Sequence, residues 1–285
     1  MSAPAAIFDK ALLEARRRRA HKQGAETFLL DRVAADLGER LSAVLRTFER
    51  AADIGTPGDA VRRALVGSGK VAAVEAIAFQ DEVLSVPAGT LDLAVSALAL
   101  QFVNDLPGAL IQICRALKPD GLFLAALFGG DTLTELRQSF AAAESEIEGG
   151  ISPRVAPFAD IRDVGGLLQR AGFALPVVDS ERVIVRYDTV FALMHDLRRM
   201  GATNALTERR RKPLKRTTLF KMAEIYRERF ADADGRLRAT FEVIWLSGWA
   251  PHESQQQPLK PGSAKTRLAD ALGAREIPAG EKAGD

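Results

Sequence analysis

Apolar residues Leu29, Val33, Leu37, Leu41, Val44 and Phe48 recur at spacings of 4, 4, 4, 3 and 4, which predicts an amphipathic helix packed on a core and ending near Arg50. The short apolar run 51–54 closes on Gly55-Thr56-Pro57-Gly58-Asp59, and residues 60–66 resume a helical pattern, so strand, glycine turn and helix follow one another. Residues 71–74 predict a second strand ending at Glu75. Residues 91–98 predict a third, whose nearly continuous hydrophobicity suits burial on both faces. Asn104 and Asp105 are capping residues for a helix over about 106–117, with Pro107 in its first turn and Lys118-Pro119-Asp120-Gly121 ending it.

Residues 122–128 predict the next buried strand, broken at Gly129-Gly130, and Thr132 with Glu135 reads as a capping box for a helix to about Ile147. A helix over about 160–171 stops at Gly172. Strand character returns at 175–179, 183–187 and 239–247, while 189–230 is mostly helical. Repeated strand-then-helix units with short connections imply an α/β fold: a doubly wound, mainly parallel sheet with helices on both faces. The expected division is N-terminal helices over 1–50, a core over 51–187, a helical cap over 188–237, the final core strand over 238–250, and a partly disordered tail over 251–285. Ligands in open α/β sheets bind outside the carboxyl ends of the strands, where strand order switches, so the loops after Ile54, Val74 and Leu98 are the site candidates.

Composition narrows the class without changing that picture. With 285 residues, 47% hydrophobic and 27% charged, the chain is neither a disulfide-stapled scaffold nor wholly disordered. Lys+Arg of 39 against Asp+Glu of 37 gives +2, which offers no global argument for nucleic acid or membrane as partner. The single Cys114 cannot form an internal disulfide or a zinc ribbon, and the N-terminus lacks the apolar stretch of a signal peptide, so a cytoplasmic, reducing location is expected. The longest apolar stretch, 91–103, is interrupted by Asp92, Ser96 and Gln101 and is too short for a membrane helix. His21, His195 and His252 lack the spacing of an iron-binding facial triad, and no metal site is expected.

The turn Asp53-Ile54-Gly55-Thr56-Pro57-Gly58 sits after the first strand, and Glu75 follows Gly55 by 20 residues. Glycines at such a turn let backbone approach a ligand, and an acid at the next strand's end can accept from ribose hydroxyls. An ordinary tight turn explains the same residues, since Pro57 and Asp59 stand where a D-x-G-x-G-x-G loop carries glycine, and Pro57 has no N–H to donate. Gln101 and Asn104 are polar groups at the carboxyl end of a buried strand, where they could face a ligand.

The run Asn104-Asp105-Leu106-Pro107-Gly108-Ala109-Leu110, the element Leu117-Lys118-Pro119-Asp120-Gly121 and the run from Phe128 through Gly129-Gly130-Asp131-Thr132-Leu133-Thr134-Glu135-Leu136 to Arg137 resemble class I methyltransferases of the type 11 group. More narrowly they resemble bacterial relatives of mitochondrial complex I assembly factor 5. Ser152-Pro153, Ala171-Gly172-Phe173, Met200-Gly201-Ala202-Thr203-Asn204, Gly248-Trp249 and Ser254-Gln255 extend the likeness over most of the chain. The resemblance implies an S-adenosylmethionine fold in which Asp53 and Gly55 face the methionine part, Glu75 the ribose, and Gln80 or Asp81 the adenine, with Gly58 and Ser96 in the same group. By their place at strand carboxyl ends Gln101, Asn104 and Asp131 are the expected pocket residues, with a cap or helix-surface role as the plain alternative for Asp131. Only four residues separate Glu75 from Gln80, so the helix usual there, and with it the third strand, is expected to be cut down.

The resemblance further implies a protein client, with an iron–sulfur subunit of complex I as a candidate, and either methyl transfer or arginine hydroxylation. A non-catalytic assembly chaperone and methyl transfer to a small molecule or acyl carrier are the alternatives. Two basic clusters, residues 16–22 and 209–221, read most simply as solvated helix faces. Their functional reading is a docking surface for an acidic protein, with peripheral contact to anionic lipid a weaker alternative and no specific nucleic acid expected.

Overall fold

Seven strands of the sequence reading condense onto one six-stranded sheet. The computed structural model describes residues 6–256, 270 and 272–274. In chain order the elements that build the sheet are β1 (Ala51–Ile54), α3 (Ala60–Gly67), β2 (Val74–Ile77), β5 (Leu91–Ala97), α4 (Leu106–Ala116), β6 (Leu117–Phe128), α5 (Thr134–Glu148), α6 (Ile161–Arg170), β7 (Ala174–Tyr187) and β8 (Leu237–Trp249). A separate hairpin, β3 (Phe79–Gln80) and β4 (Val83–Leu84), stands between β2 and β5. Helices α1 (Lys10–Lys22) and α2 (Phe28–Ser42) precede β1, while α7 (Val190–Arg199) and α8 (Arg216–Phe230) lie between β7 and β8.

The strand order is β2-β1-β5-β6-β8-β7, parallel from β2 to β6, with β8 antiparallel to both β6 and β7. Alternation on β6 shows how both faces are closed. Leu122, Leu124, Ala126 and Phe128 join the core under α2, α5 and α8, while Phe123, Ala125 and Leu127 join the core under α4 and α6. This is the doubly wound, mainly parallel arrangement that the sequence pattern implies.

Local chemistry sets several boundaries as expected. Asp105 caps α4 by accepting from the Gly108 N–H at 2.8 Å, while Asp160, read from the sequence as the first residue of the next helix, stands outside α6 and caps it from the Arg162 N–H at 2.8 Å. Three expectations are corrected. The helix expected to reach Arg50 ends at Ser42, because Phe48 leaves the helix to pair with Val71 in a parallel bridge. The two strands expected at 175–179 and 183–187 are one, since each residue of 177–187 has a partner in β8 and the polar Glu181 and Arg182 point out to Arg32 and Asp131. Thr132 and Glu135 form no capping box: Thr132 Oγ1 donates to the Glu242 carbonyl at 3.1 Å, and Glu135 accepts from the Thr240 N–H at 3.1 Å, so both tie α5 to β8.

Residues Met1–Pro251 form one compact unit and His252–Asp285 a second. In the second, the His252 N–H donates to Gln255 Oε1 at 3.2 Å; most of the tail expected to be disordered lies outside the described residues. Among the described residues no helix is long and apolar enough to cross a membrane.

Candidate functional site

Strand order reverses between β1 and β5, so their carboxyl ends diverge there and leave a crevice. Three short segments line it. Ile54 ends β1 and Gly55 follows it, Ala78 and Phe79 follow β2, and Ala99 and Leu100 follow β5, lining a cavity of about 140 Å³. Helix α1 closes the top with Lys10, Leu13, Glu14 and Arg17. Gly55 adopts φ +73°, a left-handed turn that a side chain disfavours, with Ala99 across the gap. Leu98 is left-handed too, at φ +48°, and swings the chain from β5 into the turn 100–102 that forms the cavity wall.

Two residues before Gly55, Asp53 is 2% exposed. Its Oδ2 lies 3.5 Å from Arg62, and its Oδ1 is buried with no hydrogen-bond partner. Burial dominates and raises its pKa to about 6 against the pull of Thr56 and Arg62. Gly58 is also left-handed, at φ +76°, with open space where a side chain would stand.

The remaining sequence candidates separate into distinct places. Glu75 lies within β2 opposite Ala52, exposed and two residues short of the strand end, so Ala78 and Phe79 occupy the position expected for the acid. The reason is register: Val71 is taken by Phe48, and β2 proper begins at Val74 and runs to Ile77 beside Ile54. Gln80 is exposed on β3, and Asp81 is exposed in the hairpin turn, where Asp81 and Glu82 take φ +47° and +65° as a left-handed pair. The helix expected to be missing after β2 is indeed replaced by this hairpin. Gln112 of α4 grips it, accepting from the Leu84 N–H and donating to the Glu82 carbonyl, each at 2.8 Å. Glu82 pairs in turn with Lys10 of α1.

Ser96 is fully buried and donates to the Ile54 carbonyl at 2.7 Å, a tie between β5 and β1. Gln101 donates to the Leu98 carbonyl at 2.8 Å and leaves Oε1 buried without a partner. Asn104 grips the backbone of Phe8 through both ends of its amide. Asp131 forms an ion pair with Arg182 at the surface, because the bonds of Thr132 to β8 turn the segment outward.

A larger chamber of about 270 Å³ lies beside the first cavity, and Phe102 lines both. Leu136 and Phe140 of α5, Phe158, Met194 of α7 and Arg16 of α1 are among its walls. No sequence signal pointed to it, since its residues are drawn from segments far apart in the chain.

A family model described as a methyltransferase domain matches residues 38–125. The chain is 38% identical over 287 residues to arginine-hydroxylase NDUFAF5, mitochondrial, of Homo sapiens, covering 93% of this chain and 83% of that protein. The chain belongs to the NDUFAF5 family. It is 47% identical over 195 residues to the protein of the same name from Dictyostelium discoideum, covering 68% of this chain and 44% of that one. It is 41% identical over 181 residues to malonyl-[acyl-carrier protein] O-methyltransferase of Laribacter hongkongensis, covering 64% and 58%. The chain thus spans about half the length of these two relatives. A solved candidate methyltransferase from Bacillus halodurans C-125 superposes with a TM-score of 0.51 at 13% identity, over 76% of this chain and 99% of that one. The fold is that of the Rossmann-like class I methyltransferases.

Within this NDUFAF5 relative, two of the sequence elements that carry the resemblance hold helices in place. A side chain at Gly129 would stand 2.5 Å from Glu242 Oε2, which accepts from the Asp131 N–H at 2.9 Å. Gly201 takes φ +68° and packs against the Arg17 backbone, and Arg16 donates to the carbonyls of Thr203 and Asn204. The Met200–Asn204 element is therefore the socket of α1, the helix that roofs the cavity. The basic stretch 209–221 is largely matched by acids: Arg210 and Lys215 pair with Glu148, Lys221 with Glu146, and Arg209 with Asp9.

Proposed function

We propose that this chain binds S-adenosylmethionine in the cavity between β1 and β5 and modifies a protein client during assembly of respiratory complex I, in a reducing, cytoplasmic setting. The observation that carries the reading is the identity with the human arginine-hydroxylase over 83% of that protein's length. Two features of the site suit the cofactor. The left-handed Gly55 on the cavity wall lets backbone run along the methionine part, and the buried, unpartnered Asp53 Oδ1 two residues before it would accept from the ammonium once the wall opens. When bound, the sulfonium supplies an activated methyl group.

Glu14 is the carboxylate that lines the cavity, and it takes the ribose-facing role that the sequence pattern assigned to Glu75. Leu13 and Phe79 supply apolar walls for the adenine ring, and α1 excludes water over it. The cavity volume is below the roughly 300–1,000 Å³ typical of small-molecule sites, so binding the cofactor would require α1 to stand further out.

Calorimetric titration with S-adenosylmethionine and S-adenosylhomocysteine tests this. Micromolar binding is expected, weakened in Asp53→Ala and Glu14→Ala and unchanged in Glu75→Ala. A folded protein that binds neither compound overturns the cofactor reading and leaves client docking as the function to pursue. For the client, mass spectrometry of an iron–sulfur subunit incubated with the protein distinguishes a methyl group gained on arginine from an oxygen.

A further inference from the structure

We propose that the 270 Å³ chamber beside the cofactor cavity is a binding site for a carboxylate carried on a compact aromatic or aliphatic body. Five arginines line it, Arg16, Arg154, Arg198, Arg209 and Arg210, and no aspartate or glutamate does. The acids that balance these arginines stand behind the wall and are already engaged. Glu144 takes Arg154 and Ser152, Glu148 takes Arg210 and Thr218, and Asp9 takes Arg209. Five cations against three carboxylates leave the wall with an excess of two positive charges.

The excess falls on Arg16 and Arg198. Arg16 donates to two backbone carbonyls and forms no ion pair with a carboxylate among the described residues, and the Arg198 guanidinium has no hydrogen bond or ion pair among them, although the Arg198 carbonyl accepts from the Gly201 N–H at 3.1 Å. Burial, followed by the charges of Arg209 and Arg19, pushes the Arg16 guanidinium pKa down, and the nearby Asp9 carboxylate, already paired with Arg209, offsets this only in part. A carboxylate would restore balance through charge-assisted hydrogen bonds, to the half-buried Arg16 on one side and the solvent-exposed Arg198 on the other.

The rest of the chamber is apolar. Phe8, Phe102, Phe140 and Phe158 come from four separate segments and surround it. An apolar lining with a few convergent polar groups is what orients a small amphiphilic ligand. The same excess makes the chamber hostile to a basic group, since a target guanidinium would add a third unbalanced positive charge. This site therefore selects a different chemistry from the arginine named for the relatives, and it does not depend on whether the neighbouring cavity binds cofactor.

A matched set of probes reads the charge preference directly. Phenylpropanoate, phenylpropanol and phenylpropylamine share one apolar body and differ in charge, and each is titrated into the full chain by calorimetry. Phenylpropanoate is expected to bind about tenfold or more tighter than the alcohol, the amine to give no binding, and Arg198→Gln to weaken the acid by about tenfold, the worth of one charge-assisted contact. Ala202→Trp, which fills the chamber from its loop wall, is expected to abolish binding while circular dichroism stays native. Arg198 is exposed, so Arg198→Gln keeps the test valid if Ala202→Trp fails to fold. The proposal is overturned if the amine or alcohol matches the acid, if the folded protein does not bind the acid, or if Arg198→Gln leaves acid binding unchanged. Titration of the same samples with S-adenosylhomocysteine reports the cofactor cavity separately.

Discussion

Asn104 holds Phe8 by both backbone groups: its Oδ1 accepts from the Phe8 N–H at 2.7 Å, and its Nδ2 donates to the Phe8 carbonyl at 3.2 Å. The two residues are 96 apart in sequence, so this pair fastens the segment ahead of α1 to the carboxyl edge of the sheet. Phe8 is buried against Phe102, edge to face at 5.6 Å between ring centres. Asn104→Ala is expected to cost about 1–3 kcal/mol through the two unpaired backbone groups. It should also speed tryptic cleavage at residues 16–19 as α1 loosens. A thermal melt and a limited-digestion time course check both effects.

Asp53 gives the protein a pH dependence of defined sign. Its folded pKa of about 6 lies above the ordinary 3.8, so folding favours the protonated form. The associated stability is fully present below about pH 4 and is lost as pH rises through 6, at a cost of up to about 3 kcal/mol at pH 7.5. Asp53→Asn is therefore expected to raise the melting temperature at pH 7.5 and to leave it unchanged near pH 4. The same variant should bind S-adenosylmethionine more weakly, which separates the carboxylate's cost to the fold from its use at the site.

Glu144 presents the opposite case. Burial alone would raise its carboxyl pKa, but hydrogen bonds from Ser152 and Arg154 hold it below the ordinary 4.5. Its stabilising contribution is present above that value and is lost as pH falls. Glu144→Ala strands Arg154 and leaves Arg210 with Glu148 alone, and breaking such a buried pair is expected to cost about 3–5 kcal/mol at pH 7. Chemical denaturation at pH 7 and pH 4 should find the difference between variant and parent shrinking at the lower pH.

The parts of the fold legible in the sequence are those governed by local chemistry. β1, the glycine turn, the Asp105 cap and the stop at Gly172 depend on residues within one turn of each other. The parts that were misread depend on partners far along the chain. Thr132 and Glu135 satisfy the local pattern of a capping box, yet β8 offers both of them stronger partners. Glu75 stands at the right distance from Gly55, yet the pairing of Phe48 with Val71 shifts where β2 begins and leaves the acid short of the strand end. The roof of the cavity was illegible for the same reason, because nothing in the composition of α1 says that it lies across the ends of β1 and β5.

That roof is held by a close approach between Gly201 and Arg17, and one methyl group tests its importance. A Cβ at Gly201 would stand 3.0 Å from the Arg17 Cα, and the residue's φ of +68° disfavours any side chain. Gly201→Ala therefore adds backbone strain to a backbone clash and is expected to cost about 1–3 kcal/mol. The clash pushes α1 away from the α7 end, and α1 carries Arg17 in the first cavity and Arg16 in the second. Affinities for both S-adenosylhomocysteine and phenylpropanoate should fall together, although position 201 lines neither cavity. Calorimetry on the folded variant decides the matter: a loss of stability with both affinities intact would mean that α1 covers the two sites without shaping them.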